Sequence, residues 1–276
     1  MSAPRKQAVL SSTSLNVDGT RRPWRSHQWC RYFRRNATQL LEIPWGPDAG
    51  ITTIECETIA DSVREFQLGE SAEGRHFVRA AKGYAARSGD SEYVEAVRLL
   101  IGEEQRHARE LARFLELAQV PLAEATWADT AFRWLRKRAG LEICVSVLLT
   151  AEIIAKVYYD ALGQATHSPI LQTICTQILR DEIEHVRFQS ERLALLRAAR
   201  PRPLVVMQHL AHRALFGIAC LVVWRKHARV FRAAGYGFRR FWQSGWQEMR
   251  VALYHMTPVR AAARRTFGAP ISAAKS

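Results

Sequence analysis

The sequence has few cysteines and lacks the apolar segment that begins a secreted protein. Its 276 residues include only five cysteines, an odd number, and no two of them form a C-x-x-C pair. A disulfide framework or a zinc knuckle is therefore not expected, and a reducing compartment fits this cysteine usage best. The opening residues, MSAPRKQAVLSSTS, lack the apolar core of a secretory signal. These features predict a cytoplasmic location, with peripheral attachment to the inner face of the membrane as the alternative.

Long apolar runs are also scarce. The longest is ALFGIACLVVW, residues 214–224, which is shorter than the roughly 20 residues needed to span a bilayer. We therefore expect this run to form a buried core helix. The hydrophobic share of 48 % is too high for a disordered chain.

Acidic residues are rare at both ends of the chain. Residues 1–40 hold eight Lys or Arg and one acid, and residues 196–276 hold fifteen Lys or Arg and one acid. The middle part, 41–195, holds seventeen bases and twenty-four acids, so a body of net charge −7 lies between arms of +7 and +14. Basic arms attract nucleic acid, anionic lipid or acidic proteins, or they fold back on an acidic body. No nucleic-acid motif is present, and nucleic-acid binding is not expected.

Glycine and proline are sparse between residues 50 and 200, and no stretch there alternates with a period of two. The pattern predicts an all-helical body with helices A (53–87), B (91–119), C (141–163) and D (168–200). The start of helix D carries a capping serine, Ser168, followed by Pro169. Short A–B and C–D connections predict antiparallel neighbours, and the long B–C link, with a short helix in ADTAFRWLRKRAG, crosses the end of the bundle.

The predicted fold class is therefore all-α, with a ferritin-like four-helix bundle of two antiparallel hairpins joined by a long crossover. The predicted organisation is a basic aromatic N-terminal arm at 1–50, the bundle at 51–200, and a basic C-terminal helical extension at 201–276. The extension is expected to hold two further helices, at about 205–233 and 239–255.

Each of the four predicted helices carries a glutamate that interrupts its apolar stripe near the middle. On helices B and D a histidine follows three residues later, on the same helix face. The residues are Glu70 on helix A, Glu104 and His107 on helix B, Glu152 on helix C, and Glu182 and His185 on helix D.

Four buried carboxylates do not stay ionised without a compensating positive charge. Two divalent ions carry +4 and would balance them beside two neutral histidines. The oxygen and nitrogen donors suit iron or manganese better than the metals that prefer thiolates. One Glu from each of two helices, with Glu-x-x-His from each of the other two, is the ligand arrangement of carboxylate-bridged dinuclear bundles. We predict two iron ions as cofactors, with manganese as the alternative at one or both positions.

The motifs LGES, EEQRH, TAEI and DEIEH resemble those of the ferritin-like di-iron superfamily. That group includes rubrerythrins, acyl-carrier-protein desaturases and bacterial multicomponent monooxygenases. The GES around Glu70 is similar to the first-helix ligand of rubrerythrins, and EEQRH is similar to the desaturase signature. DEIEH departs from that signature, because Glu184 stands where the desaturases have Arg. The resemblance covers about residues 55–195.

The resemblance implies a role for each ligand and an activity. Glu104 and Glu182 would bridge the metals at the catalytic centre, and Glu70 and Glu152 would be terminal carboxylates. The implied protein is a non-haem di-iron oxidoreductase that activates O2, as a hydroxylase, desaturase or N-oxygenase, on an apolar or carrier-bound organic substrate. The sequence has no rubredoxin-like cysteine pairs, so electrons are expected from a separate reductase or ferredoxin.

Two other functions fit the same residues. One is peroxide scavenging or iron handling, as in rubrerythrins and ferritins. The other is a membrane-surface binding protein in which the metal site is structural. The basic arms suit an acidic carrier protein or an anionic membrane surface as partner, and assembly into a homodimer is left open.

Several residues near the ligand motifs have more than one interpretation. Glu73 and His76 form a third Glu-x-x-His, so Glu73 is an alternative or additional ligand on helix A. Glu103 and Asp181 are predicted to orient the two histidines, as metal-bound imidazoles usually require. For Glu110 and Glu184 a solvated face is expected, with orientation of the histidines as the alternative. For Tyr84 and Tyr159 core packing is expected, with a redox-active phenol as the alternative. The tryptophans of the arms, such as Trp24 and Trp45, would stack on bases, anchor at a lipid interface or pack over the body.

Overall fold

The computed structural model describes residues 23–71, 74–124 and 140–256, and every regular element in these ranges is a helix. The prediction of an all-α fold is confirmed. In chain order the helices are α1 (Ser26–Asn36), α2 (Thr53–Glu70), α3 (Arg75–Ser88), α4 (Glu92–Leu117), α5 (Leu141–Ala165), α6 (Pro169–Arg197), α7 (Arg202–Ala233) and α8 (Phe238–Met256).

Four helices form the body of the bundle. α5 packs along α6, α2 packs along α4, and α4 contacts α6. The first two pairs are those that the short connections predict to be neighbours. Apolar side chains such as Ile59, Val97, Ile153 and Ile178 are fully buried between these helices. The candidate ligand motifs therefore lie in the same interior as this apolar core.

α6 is the most deeply buried helix of the body. It begins as predicted, because the Ser168 hydroxyl accepts a hydrogen bond from the backbone N–H of Leu171 at 3.3 Å and Pro169 takes the first helical position. Two arginines of α6 are buried and paired: Arg192 lies 3.1 Å from Asp90, and Arg197 lies 3.0 Å from Glu142 of α5. A buried charge that lost its partner would be strongly destabilising, so these pairs fix α6 against its neighbours.

Residues 53–87 form two helices, and the prediction of one continuous helix A is wrong. α2 ends at Glu70, α3 begins at Arg75, and Gly74 before it has a left-handed φ of 60°. A side chain at position 74 would collide with Ile101 of α4. Glycine is the residue that accepts both this φ and this close approach. The break makes Glu70 the last residue of its helix; residues 72 and 73 lie outside the described ranges.

The N-terminal helix α1 packs on the body against α4. Trp29 and Phe33 are buried, and the Trp29 indole N–H donates to Glu191 Oε2 at 3.3 Å. The Arg187 guanidinium lies 4.1 Å from the centre of the Trp24 ring. Trp24 and Trp29 therefore pack over the body, which is one of the three roles considered for the arm tryptophans. Residues 1–22 are outside the described part of the chain.

The C-terminal helices also pack on the body. α7 contacts α2 and α5, and α8 contacts α5 and α6. Lys226 Nζ of α7 lies 2.7 Å from Glu65 Oε2 of α2, and Lys156 of α5 pairs with Glu248 of α8. At Gly245, a Cβ atom would lie 3.3 Å from the Phe216 ring, so glycine allows α8 to approach α7 closely.

The expectation of a buried core helix at 214–224 is wrong for one face of α7. Phe216 and Cys220 are fully buried, whereas Ile218 and Leu221 are 62 % and 46 % exposed. Arg202–Ala233 is also the one helix, among the residues that the structure describes, that is long and apolar enough by length and composition to cross a membrane.

Two smaller features complete the comparison with the sequence. The five cysteines are free thiols, and four of them are buried. The short helix predicted within residues 128–140 falls, except for its last residue, outside the described ranges.

Candidate dinuclear metal centre

The six predicted ligands converge on one place inside the bundle. They come from four helices: Glu70 from α2, Glu104 and His107 from α4, Glu152 from α5, and Glu182 and His185 from α6. They form two groups, and within each group the potential ligand atoms all lie within 4.8 Å of one another. One group is Glu70, Glu104, His107 and Glu182; the other is Glu104, Glu152 and His185. Glu104 belongs to both groups and therefore lies between two potential metal positions.

Each of the six side chains presents one buried polar atom that has no hydrogen-bond partner within the described residues. The atoms are Glu70 Oε2, Glu104 Oε1, His107 Nδ1, Glu152 Oε2, Glu182 Oε2 and His185 Nδ1. Buried polar atoms in folded proteins are nearly always satisfied. Six oxygen and nitrogen atoms without a hydrogen-bond partner around one centre fit a metal site, because each of them would gain a coordination bond to a cation.

The distances within the cluster are short. His185 Nδ1 lies 2.8 Å from Glu104 Oε1 and 3.8 Å from Glu182 Oε1, although neither approach is aligned as a hydrogen bond. His107 Nδ1 lies 3.7 Å from Glu70 Oε2. Each histidine therefore directs its Nδ1 towards carboxylate oxygens of the cluster, and the Nδ1 atoms are the ones available to a metal.

The other nitrogen of each histidine is held by a carboxylate of the opposite helix. His107 Nε2 on α4 donates to Asp181 Oδ2 of α6 at 2.9 Å. His185 Nε2 on α6 donates to Glu103 Oε2 of α4 at 2.8 Å. Asp181 and Glu103 thus contact the histidines as predicted. A carboxylate on the far nitrogen fixes the ring orientation and makes the imidazole a better ligand.

Asn36 of α1 links these two carboxylates. Its buried side-chain amide donates to Glu103 Oε1 at 2.7 Å and to Asp181 Oδ1 at 2.8 Å. Asp181 also accepts from Gln177 Nε2 at 3.0 Å and from Arg106 Nη2 at 2.6 Å. The pKa of Asp181 lies well below its usual range: burial would raise it, but the hydrogen bond and positive charge of His107, the charge of His185 and the hydrogen bond from Asn36 outweigh that effect. Asp181 therefore remains an anion in the interior.

Glu70 and Glu152 are held by neighbours from α5 and α6. The Tyr159 hydroxyl donates to Glu70 Oε1 at 2.8 Å. Gln189 Nε2 donates to Glu152 Oε1. In both cases one carboxylate oxygen is fixed and the other is left to face the cluster. Tyr159, for which core packing was expected, is buried and also positions a candidate ligand.

The ionisation of the cluster is set by burial and by the charges that its members bring close together. Burial, with the nearby charges of Glu70 and Glu182, raises the pKa of Glu104 to about 8. Burial and the charge of Glu182 also raise the pKa of Glu152. Burial alone would lower the pKa of His107, but its contacts with Asp181 and Glu70 raise that pKa to about 10. Without a cation the folded cluster thus holds protons, and a metal would have to displace them.

Glu104 is the one ligand that reaches the surface. Its side chain is 22 % exposed, although its Oε1 is buried, whereas both histidines are fully buried. The burial of the charged end explains the raised pKa in spite of this exposure. The edge of the cluster at Glu104 is therefore the side on which a small molecule from solvent would reach it.

The remaining residues considered from the sequence lie outside the two ligand groups. Glu73 falls outside the described residues, and His76 lies on α3 and belongs to neither group. Glu110 lies 3.5 Å from Arg106, and Glu184 lies 3.4 Å from Arg187. Each of these two carboxylates forms an ion pair, and neither belongs to the two ligand groups.

Sequence reasoning did not identify Asn36, Gln177 and Gln189. Each is a polar residue on an apolar helix face: Asn36 follows the buried Trp29 and Phe33 on α1, and Gln189 lies one turn after His185 on α6. That signal was present in the sequence. The hydrogen-bond partners could not be recognised from the sequence, because Asn36 is 67 residues away from Glu103 and 145 residues away from Asp181.

Replacing Asn36 with alanine is expected to weaken iron binding about 10- to 100-fold while the helical content stays unchanged. Without the amide, Glu103 and Asp181 each lose a buried donor and hold the two histidines less firmly. Titration with Fe(II) under anaerobic conditions would measure the change. Arg35→Ala, at an exposed position of the same helix, is the matched control. Equal affinities for the two variants would contradict the assigned role of Asn36.

No family model, curated protein or solved structure matches this chain. The centre is therefore interpreted from its own residues.

Proposed function

We propose that this chain is a ferritin-like di-iron oxidoreductase that activates O2 to oxidise an organic substrate. The single observation that carries the proposal is a set of six buried atoms around one centre, one from each predicted ligand, that have no hydrogen-bond partner. The chain order of the ligands supports the ferritin-like arrangement: one Glu, then Glu-x-x-His, then one Glu, then Glu-x-x-His, on four helices of one bundle.

The two ligand groups suggest how the ions would be shared. Glu70 and His107 would hold one ion, and Glu152 and His185 the other. Glu104 belongs to both groups, and Glu182 Oε1 lies 3.8 Å from His185 although Glu182 is grouped with His107. Glu104 and Glu182 are therefore the bridging candidates. Four carboxylates against two divalent ions give a neutral centre, which suits a buried position.

When bound, a pair of reduced iron ions supplies the electrons with which O2 is activated. The residues of this chain would orient the metal ligands and keep water away from the ions. Asp181 and Glu103 orient the imidazoles, Tyr159 and Gln189 fix one oxygen of the terminal glutamates, and the apolar core excludes water. Tyr159 also keeps a proton next to Glu70, at a hydroxyl whose pKa is raised by burial and by the charge of that carboxylate.

The apolar core around the bundle axis supports a substrate class. Side chains such as Ile153 and Ile178 are fully buried between the four helices, so an apolar molecule or an acyl group on a carrier protein would fit better than a charged metabolite. Because the sequence holds no cysteine pair for an electron-transfer site of its own, a separate reductase or ferredoxin would supply electrons.

Peroxide scavenging is the second candidate, and the partial exposure of Glu104 favours it. A small oxidant reaches the centre from solvent at that edge without needing a substrate channel. In that case the protein would consume hydrogen peroxide with no organic molecule present.

The test is anaerobic loading of the full chain with Fe(II), followed by separate exposure to O2 and to hydrogen peroxide. We expect about two iron ions per chain and, after O2, the near-ultraviolet absorption of an oxo-bridged ferric pair. Oxidation by O2 faster than by equimolar peroxide supports the oxygenase proposal. Much faster oxidation by peroxide would select the scavenger, and failure to bind iron or manganese would reject both.

A further inference from the structure

The helix α7 is apolar on two opposite faces, and only one of them is covered. The inner face carries Phe216 and Cys220, which are fully buried against the body. The outer face carries a row of large apolar side chains that are 46 to 62 % exposed, which we name the outer stripe: Val206, Met207, Leu210, Ile218 and Leu221. A helix that is apolar all round is normally enclosed on every side or in contact with lipid.

The inner face holds α7 firmly on the bundle. The Thr150 hydroxyl of α5 lies 3.1 Å from His212 Nε2, and Lys226 pairs with Glu65 of α2. Only 22 % of the most apolar part of the helix is buried. α7 therefore lies along the body with its outer stripe facing away, over a length of about 22 Å from Val206 to Leu221.

Two tryptophans of α8 border the outer stripe. A Cβ atom at Gly217, which lies between Ala214 and Ile218 on the same face, would be 3.7 Å from the Trp242 ring and 4.0 Å from the Trp246 ring. Both indoles are half-buried. Partly exposed tryptophan beside an apolar surface is typical of the boundary between lipid headgroups and acyl chains.

Positive charge surrounds the outer stripe. Residues 196–256 hold eleven Lys or Arg and one acid. Arg202 and Arg225 are exposed near the two ends of the stripe, and Arg213 is exposed beside it, 5.4 Å from the centre of the Trp246 ring. A second copy of this chain would bring like charges together at such a surface, whereas an anionic bilayer complements it.

We propose that the outer stripe docks on an anionic phospholipid bilayer, with α7 parallel to the membrane plane. The apolar side chains enter the boundary of the acyl region, the two indoles lie at the headgroup level, and the arginines contact lipid phosphates. This inference is independent of the metal centre, and it assigns the basic C-terminal extension to a lipid surface.

The experiment is flotation of the iron-loaded full chain with two kinds of vesicle. One kind is pure phosphatidylcholine, and the other contains about one third phosphatidylglycerol. We expect binding to the anionic vesicles that falls as salt is raised, and little binding to pure phosphatidylcholine. Absence of flotation with anionic vesicles, or equal binding to both kinds, would overturn the proposal.

A matched pair of variants tests the surface itself. Leu210→Asn with Ile218→Asn alters two outer-stripe residues that are 60 % and 62 % exposed, so the fold is expected to survive. Vesicle binding should drop about tenfold or more. Ile54→Asn with Leu122→Asn changes two exposed residues outside the extension and should bind as the unaltered chain does. Equal binding by both pairs would overturn the assignment, as would a concentration-dependent dimer lost only in the Leu210 and Ile218 variant.

Discussion

Replacing Glu104 with alanine is expected to remove both metal ions, leaving less than about a tenth of the iron that the unaltered chain binds. Glu104 is shared by the two ligand groups. Without it, both metal positions would lose a carboxylate ligand, and the two cations would lose a negative charge that lies between them. His107→Ala should instead affect one position first, because His107 belongs to one group only. Metal analysis after anaerobic loading, with circular dichroism to verify the fold, measures both outcomes.

The controls for this prediction come from the same types of residue. Glu116→Ala changes an exposed carboxylate of α4, and His167→Ala changes a histidine whose side chain is 94 % exposed. Both should load iron normally and keep O2-dependent oxidation. If Glu104→Ala loaded as much iron as Glu116→Ala, the ligands would have to be sought elsewhere.

The second large effect is on stability without metal. Glu152→Gln with Glu182→Gln is expected to raise the free energy of unfolding of the metal-free protein by about 1–2 kcal/mol. Burial and neighbouring charge raise the pKa of both carboxyls, which means that their ionised forms are disfavoured in the folded interior. A glutamine keeps the shape without a charge, and Gln189 can still donate to its side-chain oxygen.

In the presence of a chelator, the unfolding temperature of this variant should be a few degrees higher than that of the unaltered chain. After addition of iron the order should reverse, because only the unaltered chain gains stability from binding. Glu116→Gln, at an exposed site, should leave both curves unchanged. A metal-free variant less stable than the unaltered protein would show that these carboxylates support the fold by themselves.

The sequence predicted which six side chains come together, because the pattern that marks them is local. A Glu-x-x-His places both side chains on one face of a helix, and a charged residue in an apolar stripe marks where that face meets the core. The four helices needed no long-range information to be identified as carriers of Glu70, Glu104, Glu152 and Glu182. Their convergence followed from the short connections that make the helices neighbours.

Other features depended on contacts that local patterns do not encode. The apolar periodicity continues from Phe66 to Phe77, so the break at Gly74 was hidden until its neighbour Ile101 was in place. The run at 214–224 is apolar in every direction and gives no indication of which face the bundle covers. Asn36 contacts residues of α4 and α6 that are far away along the chain, and only the folded structure brings them together.

The position of α1 has a practical consequence for shortening the protein. A chain that began at residue 51, the predicted start of the bundle, would omit Asn36 together with the buried Trp29 and Phe33. Its four remaining core helices would keep all six metal donors, but the two carboxylates that steer the imidazoles would lose their common clamp. We therefore expect a fragment that binds iron with full affinity to start upstream of Trp24, and any tag or fusion partner at the front of the chain is best joined before that residue.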